Sequence, residues 1–200
     1  MNTALKEPFN RERQFASKRQ AVILAAGQAF RRRGYHNASM AEIAKTLGLT
    51  KAALYYYVRN KEEVLYECHL MAYDAMDEIL RSKPDAASAL DKLEILYIDF
   101  VNMLTASGVS LLTDVNSLGE ENKAEVLARR GKIERKIIRL VRDGQKDGSI
   151  RAGDARLHVF FFMGALNWLN AWYDASGRLK GADIAAHFAL QMRAGISAYK

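Results

Sequence analysis

The stretch SMAEIAKTLGLTKAALYYYVRNK, Ser39 to Lys61, constrains the fold more than any other part of the chain. Ser39 with Glu42 three residues later is a capping-box start, in which each side chain satisfies a backbone N–H at a helix entrance. Ile43 and Leu47 are four apart and share one face of a short helix. Gly48 follows, the residue type best suited to a left-handed helix exit. Thr50 can cap a second helix whose apolar positions, Leu54 and Val58, are again four apart, and Asn60 with Glu63 repeats the box for a third. Helix, glycine turn, helix is the pattern of a helix-turn-helix, whose second helix enters a DNA major groove.

If Leu54 and Val58 point inward, Lys51, Ala52, Tyr55, Tyr56 and Tyr57 are left toward the outer faces. Three consecutive tyrosines span most of a turn and cannot all be core. A small residue at Ala52 lets the helix N-terminus approach DNA, Lys51 and Lys61 offer phosphate contacts at the two ends, and tyrosine hydroxyls can donate to phosphates. The candidate DNA contacts are Ser39, Thr50, Lys51, Ala52, Tyr55, Tyr56, Tyr57 and Lys61. The plainer alternative is a capped helix pair with surface tyrosines.

Charge separates these readings. Residues 1–61 hold twelve Lys and Arg against three Asp and Glu, a balance of +9. The remaining residues hold eighteen against twenty, a balance of −2, so the net +7 originates in the first third of the chain. That asymmetry is the electrostatic footprint of a nucleic-acid binder with salt-dependent affinity.

The run VILAAGQAFRRRGYHNASMAEIAKTLGLTKAALYYYVRNKEEVL, Val22 to Leu65, resembles the DNA-binding domain of the tetracycline-repressor (TetR) family. The family pattern is an Ala-rich helix ending in Phe, Gly-Tyr, a small polar start to Ile-Ala, Gly-Leu-Thr, Leu-Tyr-Tyr and Lys-Glu-x-Leu. The chain departs from it at Ala52 (often Gly), Tyr57 (often His) and Val58 (often Phe). Tyr57 stands where the family makes direct DNA contact, so the departure bears on base preference.

The rest reads as helices. The first is predicted over Ser17–Arg33, and Lys6, Arg11 and Arg13 precede it as a basic arm or a plain terminus. The fourth runs from Lys61 to about Leu80 and bridges the basic part to the remainder. Beyond Pro84 the periodicity predicts helices over about Ala86–Thr105, Val109–Leu118, Lys123–Asp147, Asp154–Ala175 and Ala182–Tyr199, punctuated by glycines. No alternating strand pattern of useful length occurs. The expected fold is all-α, with a helix-turn-helix domain over 16–62 and an effector-binding and dimerisation domain over 63–200.

The helix from Asp154 is apolar nearly all round, and a helix without a polar face must be covered on every side. A second subunit is the natural cover. In the resembled family the last two helices form the dimer interface, and a two-fold dimer places two recognition helices about one DNA turn (~34 Å) apart, to read a pseudo-palindromic double-stranded operator.

The resemblance also implies a pocket for a small hydrophobic effector. Its candidate lining is Tyr66, Tyr97, Phe100, Met103, Leu104, Leu111, Leu112, Val115, Phe161, Trp168 and Trp172, although for each taken alone core packing is the better explanation. Asn167 lies within the most apolar helix, where a buried amide needs a partner: a ligand, or a neighbouring helix. The segments ARRGKIERKIIRLVRDGQKDGSIR and GALNWLNAWYDASGRLKGADIAAHF resemble a branch of the family in which acyl-CoA thioesters are common effectors. Arg129, Arg130 and Lys132 could then meet the anionic nucleotide, or simply form a solvated face.

Other classes find less support. His36, His69, His158 and His187 have no metal-ligand spacing, and no phosphate loop or Gly-x-Ser-x-Gly occurs, which argues against an all-α enzyme; no cofactor or metal is implied. A basic protein binding DNA without sequence preference would leave the large apolar C-terminal part unexplained. A single cysteine, Cys68, rules out an internal disulfide framework. The N-terminus lacks an apolar signal core and no segment approaches ~18 uninterrupted apolar residues, so a cytoplasmic protein without a membrane span is expected.

Overall fold

In a computed structural model, which describes residues 7–82 and 84–198, the chain is a bundle of α-helices. α1 (Glu7–Arg33), α2 (Met40–Thr46) and α3 (Lys51–Tyr55) form the N-terminal unit. α4 (Lys61–Arg81) leaves it and enters a body made of α5 (Ala89–Ala106), α6 (Glu120–Asp147), α7 (Ala155–Trp172) and α8 (Gly181–Ile196). No strand is found among the described residues.

The caps follow the sequence. Ser39 Oγ accepts from Glu42 N (3.1 Å) and Glu42 Oε2 accepts from Ser39 N (3.3 Å), closing the box. At Asn60 only half the expected box forms. Its Oδ1 accepts from Glu63 N (2.7 Å), but the Glu63 carboxylate turns to Arg59 N (2.5 Å) and to Arg19 Nη2 (3.2 Å).

Two helix expectations are corrected. α1 begins at Glu7 rather than Ser17, so Arg11 and Arg13 ride on a helix instead of an arm; Lys6 lies outside the described residues. Phe15 supplies the reason: it packs against Tyr56 and Tyr57, giving the added turns a tertiary partner that periodicity does not reveal. The helix expected over Val109–Leu118 does not form, apart from a 3₁₀ turn at Val115–Ser117. Val109, Ser110, Leu111 and Leu112 are all buried, and four consecutive buried side chains do not fit one face of a surface helix. This strap leaves Gly108 and threads the interior without regular secondary structure until the 3₁₀ turn.

The body is pinned at the middle and at the N-terminal end of α5. Tyr97, fully buried on α5, donates its hydroxyl to Phe162 O on α7 (2.7 Å). Arg193 on α8 bridges Asp91 (2.7 Å) and Glu94 (2.5 Å) on α5. Beyond α8 the chain runs extended: Arg151 N donates to Ile196 O (2.9 Å) and Ala198 N to Ser149 O (3.0 Å). The expected continuation of α8 to Tyr199 therefore stops at Ile196, and Tyr199 itself lies outside the described residues.

Candidate nucleic-acid interface and ligand cavity

In the helix-turn-helix, Gly48 adopts φ +67° between α2 and α3, and Leu49 N returns to Ala44 O (2.9 Å). Thr50 Oγ1 then accepts from Ala53 N (3.1 Å) to start α3. Leu54 and Val58 are buried, as their spacing requires. Lys51, Ala52, Tyr55 and Tyr56 face outward, with Tyr56 at 71% exposure. Tyr57 is half-buried and packs on the core and on Phe15. Ser39 and Thr50 serve as caps through their oxygens, and their hydroxyl protons remain able to donate outward.

Lys61 is placed differently from a free phosphate contact. Its Nζ donates to His36 O (3.2 Å) and lies 4.5 Å from the centroid of the Tyr35 ring. Several other cations of the basic unit are also tied internally: Arg19 to Glu63 and Glu67 (2.7 Å), and Arg33 to Glu42 (2.5 Å). Arg31, Arg32, Lys45 and Lys51 form no ion pair among the described residues.

A cavity of about 330 Å³ opens between α4, α6, α7 and the strap. α4 contributes His69, Tyr73 and Met76; the strap contributes Leu111, Leu112, Thr113 and Val115. α6 adds Val126, Ile133 and Ile137, and α7 adds Val159 and Met163. Charged groups stand at the rim: Arg156 Nε meets Glu134 Oε1 (3.3 Å) and its guanidinium lies 4.8 Å from the Phe160 ring centroid. Arg130, also on the lining, has no ion pair among the described residues. His69 is 1% exposed and neither ring nitrogen has a protein partner among the described residues. Burial holds its imidazole down at about 4, so the ring is neutral at pH 7.

Of the expected lining, Leu111, Leu112, Val115, Arg130 and Asn167 border this cavity. Tyr97, Phe100, Met103 and Leu104 do not; they are core residues of α5. Tyr66 also stands outside, donating its hydroxyl to Glu125 Oε2 (2.6 Å), which pushes the phenol up to about 12. Phe161 and Trp168 face away from the cavity at 75% and 68% exposure, and Trp172 leans on Phe188. Asn167 is exposed at the rim; the amide buried without partners is Asn170, one turn on. Arg129 is held by Asp74 and by Glu125 (3.2 Å), so it is not a free cation. His69 and Tyr73 were missed, although their i, i+4 spacing with Met76 beyond marks one face of α4.

Contacts at the C-terminal end of the strap connect the regions. Ser117 Oγ lies 3.2 Å from His36 Nε2, and Glu62 Oε1 accepts from Gly119 N (2.8 Å). The strap that lines the cavity thus touches the N-terminal unit, and so does α4.

A capped helix-turn-helix on a basic unit, continued by one helix into a body with a lined cavity, defines a helix-turn-helix DNA-binding regulator. Residues 22–68 match the family described as bacterial regulatory proteins, tetR family, and residues 86–196 match the tetracyclin repressor-like C-terminal domain. The chain belongs to the TetR family; it is a transcriptional regulator and not an enzyme. It is 25% identical over 192 residues to the HTH-type transcriptional repressor KstR2 of Mycolicibacterium smegmatis, covering 91% of this chain and 92% of that one. It is 24% identical over 172 residues to the transposon Tn10 TetC protein of Escherichia coli, covering 82% and 80%. Among solved structures, AibR in complex with isovaleryl coenzyme A and operator DNA superposes with a TM-score of 0.71 at 25% identity, over 86% of this chain and 96% of that one. KstR2 of Mycobacterium tuberculosis shares the fold, with a TM-score of 0.75 at 19% identity over 91% and 96%. No helix among the described residues is long and apolar enough to cross a membrane.

Proposed function

We propose that this regulator is a cytoplasmic homodimeric repressor, released from a pseudo-palindromic double-stranded operator by a small hydrophobic effector bound among α4, α6, α7 and the strap. The observation that carries the reading is the continuity of α4: it starts beside the recognition helix and lends His69, Tyr73 and Met76 to the cavity. A ligand that shifts α4 or the strap alters the seat of the N-terminal unit through Glu62–Gly119 and His36–Ser117. The division of labour is a DNA-binding part over 16–62 and an effector and dimerisation part over 63–200. Lys51, Ala52, Tyr55 and Tyr56 approach the groove, while Ser39 and Thr50 donate to phosphates. Tyr57 and Lys61 hold that surface in place from behind.

The effector class we favour is a short-chain acyl-CoA thioester. A cavity of about 330 Å³ suits an acyl group, with the nucleotide left outside near Arg130. The AibR complex with isovaleryl coenzyme A supports that class by analogy. Dimerisation is supported by Leu157, Phe161 and Trp168 on α7 and Leu190 on α8, which expose large apolar side chains on the last two helices.

The test is operator affinity with and without short-chain acyl-CoAs. Coupling of ~1–3 kcal/mol would weaken binding about 5- to 150-fold. An operator affinity unmoved by every acyl-CoA would eliminate that effector class.

A further inference from the structure

The cavity has a polar end that its apolar lining does not explain. His69 is 1% exposed, and both Nδ1 and Nε2 lack a protein partner among the described residues. Its ring stacks on that of Tyr73, one turn further along α4, with centroids 6.4 Å apart and planes 13° from parallel. Both residues line the cavity, facing Met76, Ile133, Ile137 and Val159. Buried polar atoms are ordinarily satisfied, and a neutral imidazole has one donor and one acceptor to satisfy.

The charged groups acting on the ring are few. Asp114 on the strap favours its protonation; Arg130 on α6 opposes it, as burial does more strongly. The ring is therefore a neutral hydrogen-bonding group, and Arg130 is a lining cation with no ion pair among the described residues, unlike Arg156, which meets Glu134.

We propose that His69, with Tyr73 beside it, is a specificity-determining anchor for a hydroxyl or ketone on the buried part of the effector, whose acidic or thioester end lies toward Arg130. This rests on the reading of the cavity as the effector site and adds to it a class of occupant. A saturated hydrocarbon chain offers neither a donor nor an acceptor and leaves the imidazole nitrogens unpaired, whereas an oxygenated chain gives them a partner. A hydroxyl both donates and accepts, so it fits either tautomer of the ring. The space of about 330 Å³ is enough for a short oxygenated aliphatic acyl group.

The experiment is calorimetric titration of the full-length protein with straight-chain carboxylates of four to eight carbons and with the matched ω-hydroxy acids. The wild type is expected to prefer at least one hydroxy acid by about tenfold over its plain partner. His69→Leu should remove or reverse that preference, and His69→Gln, which keeps a donor and an acceptor, should retain part of it. Circular dichroism establishes that each variant is folded. A wild type that binds both acids of every pair equally, or a folded His69→Leu that keeps the preference, overturns the anchor alone. Absence of binding by both series overturns the anchor and leaves the effector site to the operator-affinity test with acyl-CoAs, whereas binding that survives Val159→Trp in a folded protein overturns the effector-site reading and the anchor with it.

Discussion

Phe15 stands edge-on to Tyr56, with ring centroids 5.4 Å apart, and tilts against Tyr57 at 5.3 Å. The two tyrosines meet each other at 5.2 Å. Tyr56 is mostly exposed, so Phe15 and Tyr57, rather than burial, fix the direction in which it leaves the recognition helix. The N-terminal turns of α1 therefore shape the outer surface beside α3, the one we propose meets DNA, without contributing to its core.

Removing that support should weaken operator binding more than it weakens the fold. An aromatic pair contributes ~0.5–1.5 kcal/mol beyond area burial, so Phe15→Ala is expected to reduce affinity about two- to tenfold. The loss should be sub-additive with Tyr56→Ala in a double-mutant cycle read by fluorescence anisotropy. Full additivity would show that Phe15 does not act through Tyr56.

The apolar stripe on α7 makes a separate prediction. Phe161 is 75% exposed and Trp168 68%. Phe161→Glu places a charge where a second copy would bury it, and the protein should sediment as a monomer with little change in helicity. A variant that remains dimeric would move the interface elsewhere.

Stability should fall with acidity through His69. Its folded pKa of about 4 lies below the unfolded value near 6.5, so below pH 6.5 the unfolded chain takes up a proton that the folded chain refuses. Between pH 6.5 and 4 this group removes roughly 3 kcal/mol of stability, at ~1.4 kcal/mol per pH unit of separation. Urea denaturation of His69→Leu over that range should show a smaller loss than wild type. Parallel curves would mean that the imidazole is protonated in the folded protein.

Gly144 is a packing requirement rather than a turn. A Cβ there would lie 2.5 Å from Ile150 Cδ1 and 2.7 Å from Cγ1. Gly144→Ala should therefore cost ~1–3 kcal/mol in thermal or urea denaturation, and a second change, Ile150→Ala, should leave a smaller cost for the alanine than it has alone. An unaltered cost in that background would place the strain at another contact.

Much of this architecture was legible because its signals are local. Ser39 with Glu42, Gly48, Thr50 and Asn60 specify caps and a turn within a few residues, and the structure places Leu54 and Val58 inside as their spacing implies. The cavity was harder because its walls come from four separate segments. Aromatic content drew attention to Tyr97 and Phe100, which fill the core, and to Phe161 and Trp168, which point away. His69 carried no local mark, since its significance is the absence of any partner in space. The strap was misread for a related reason: Val109–Leu112 are apolar enough for a helix, but burial on every side follows from the neighbours around them.

The strap joins two roles within a dozen residues. Leu111 and Leu112 touch the cavity, while Ser117 and Gly119 touch His36 and Glu62. A substitution at Leu112 therefore changes the shape offered to an occupant and the tether to the N-terminal unit together. One at Ile137 or Val159 changes the shape alone. If the proposed coupling holds, descendants of this protein can acquire a new occupant through α6 and α7 while inheriting the response, whereas drift along the strap rewrites both.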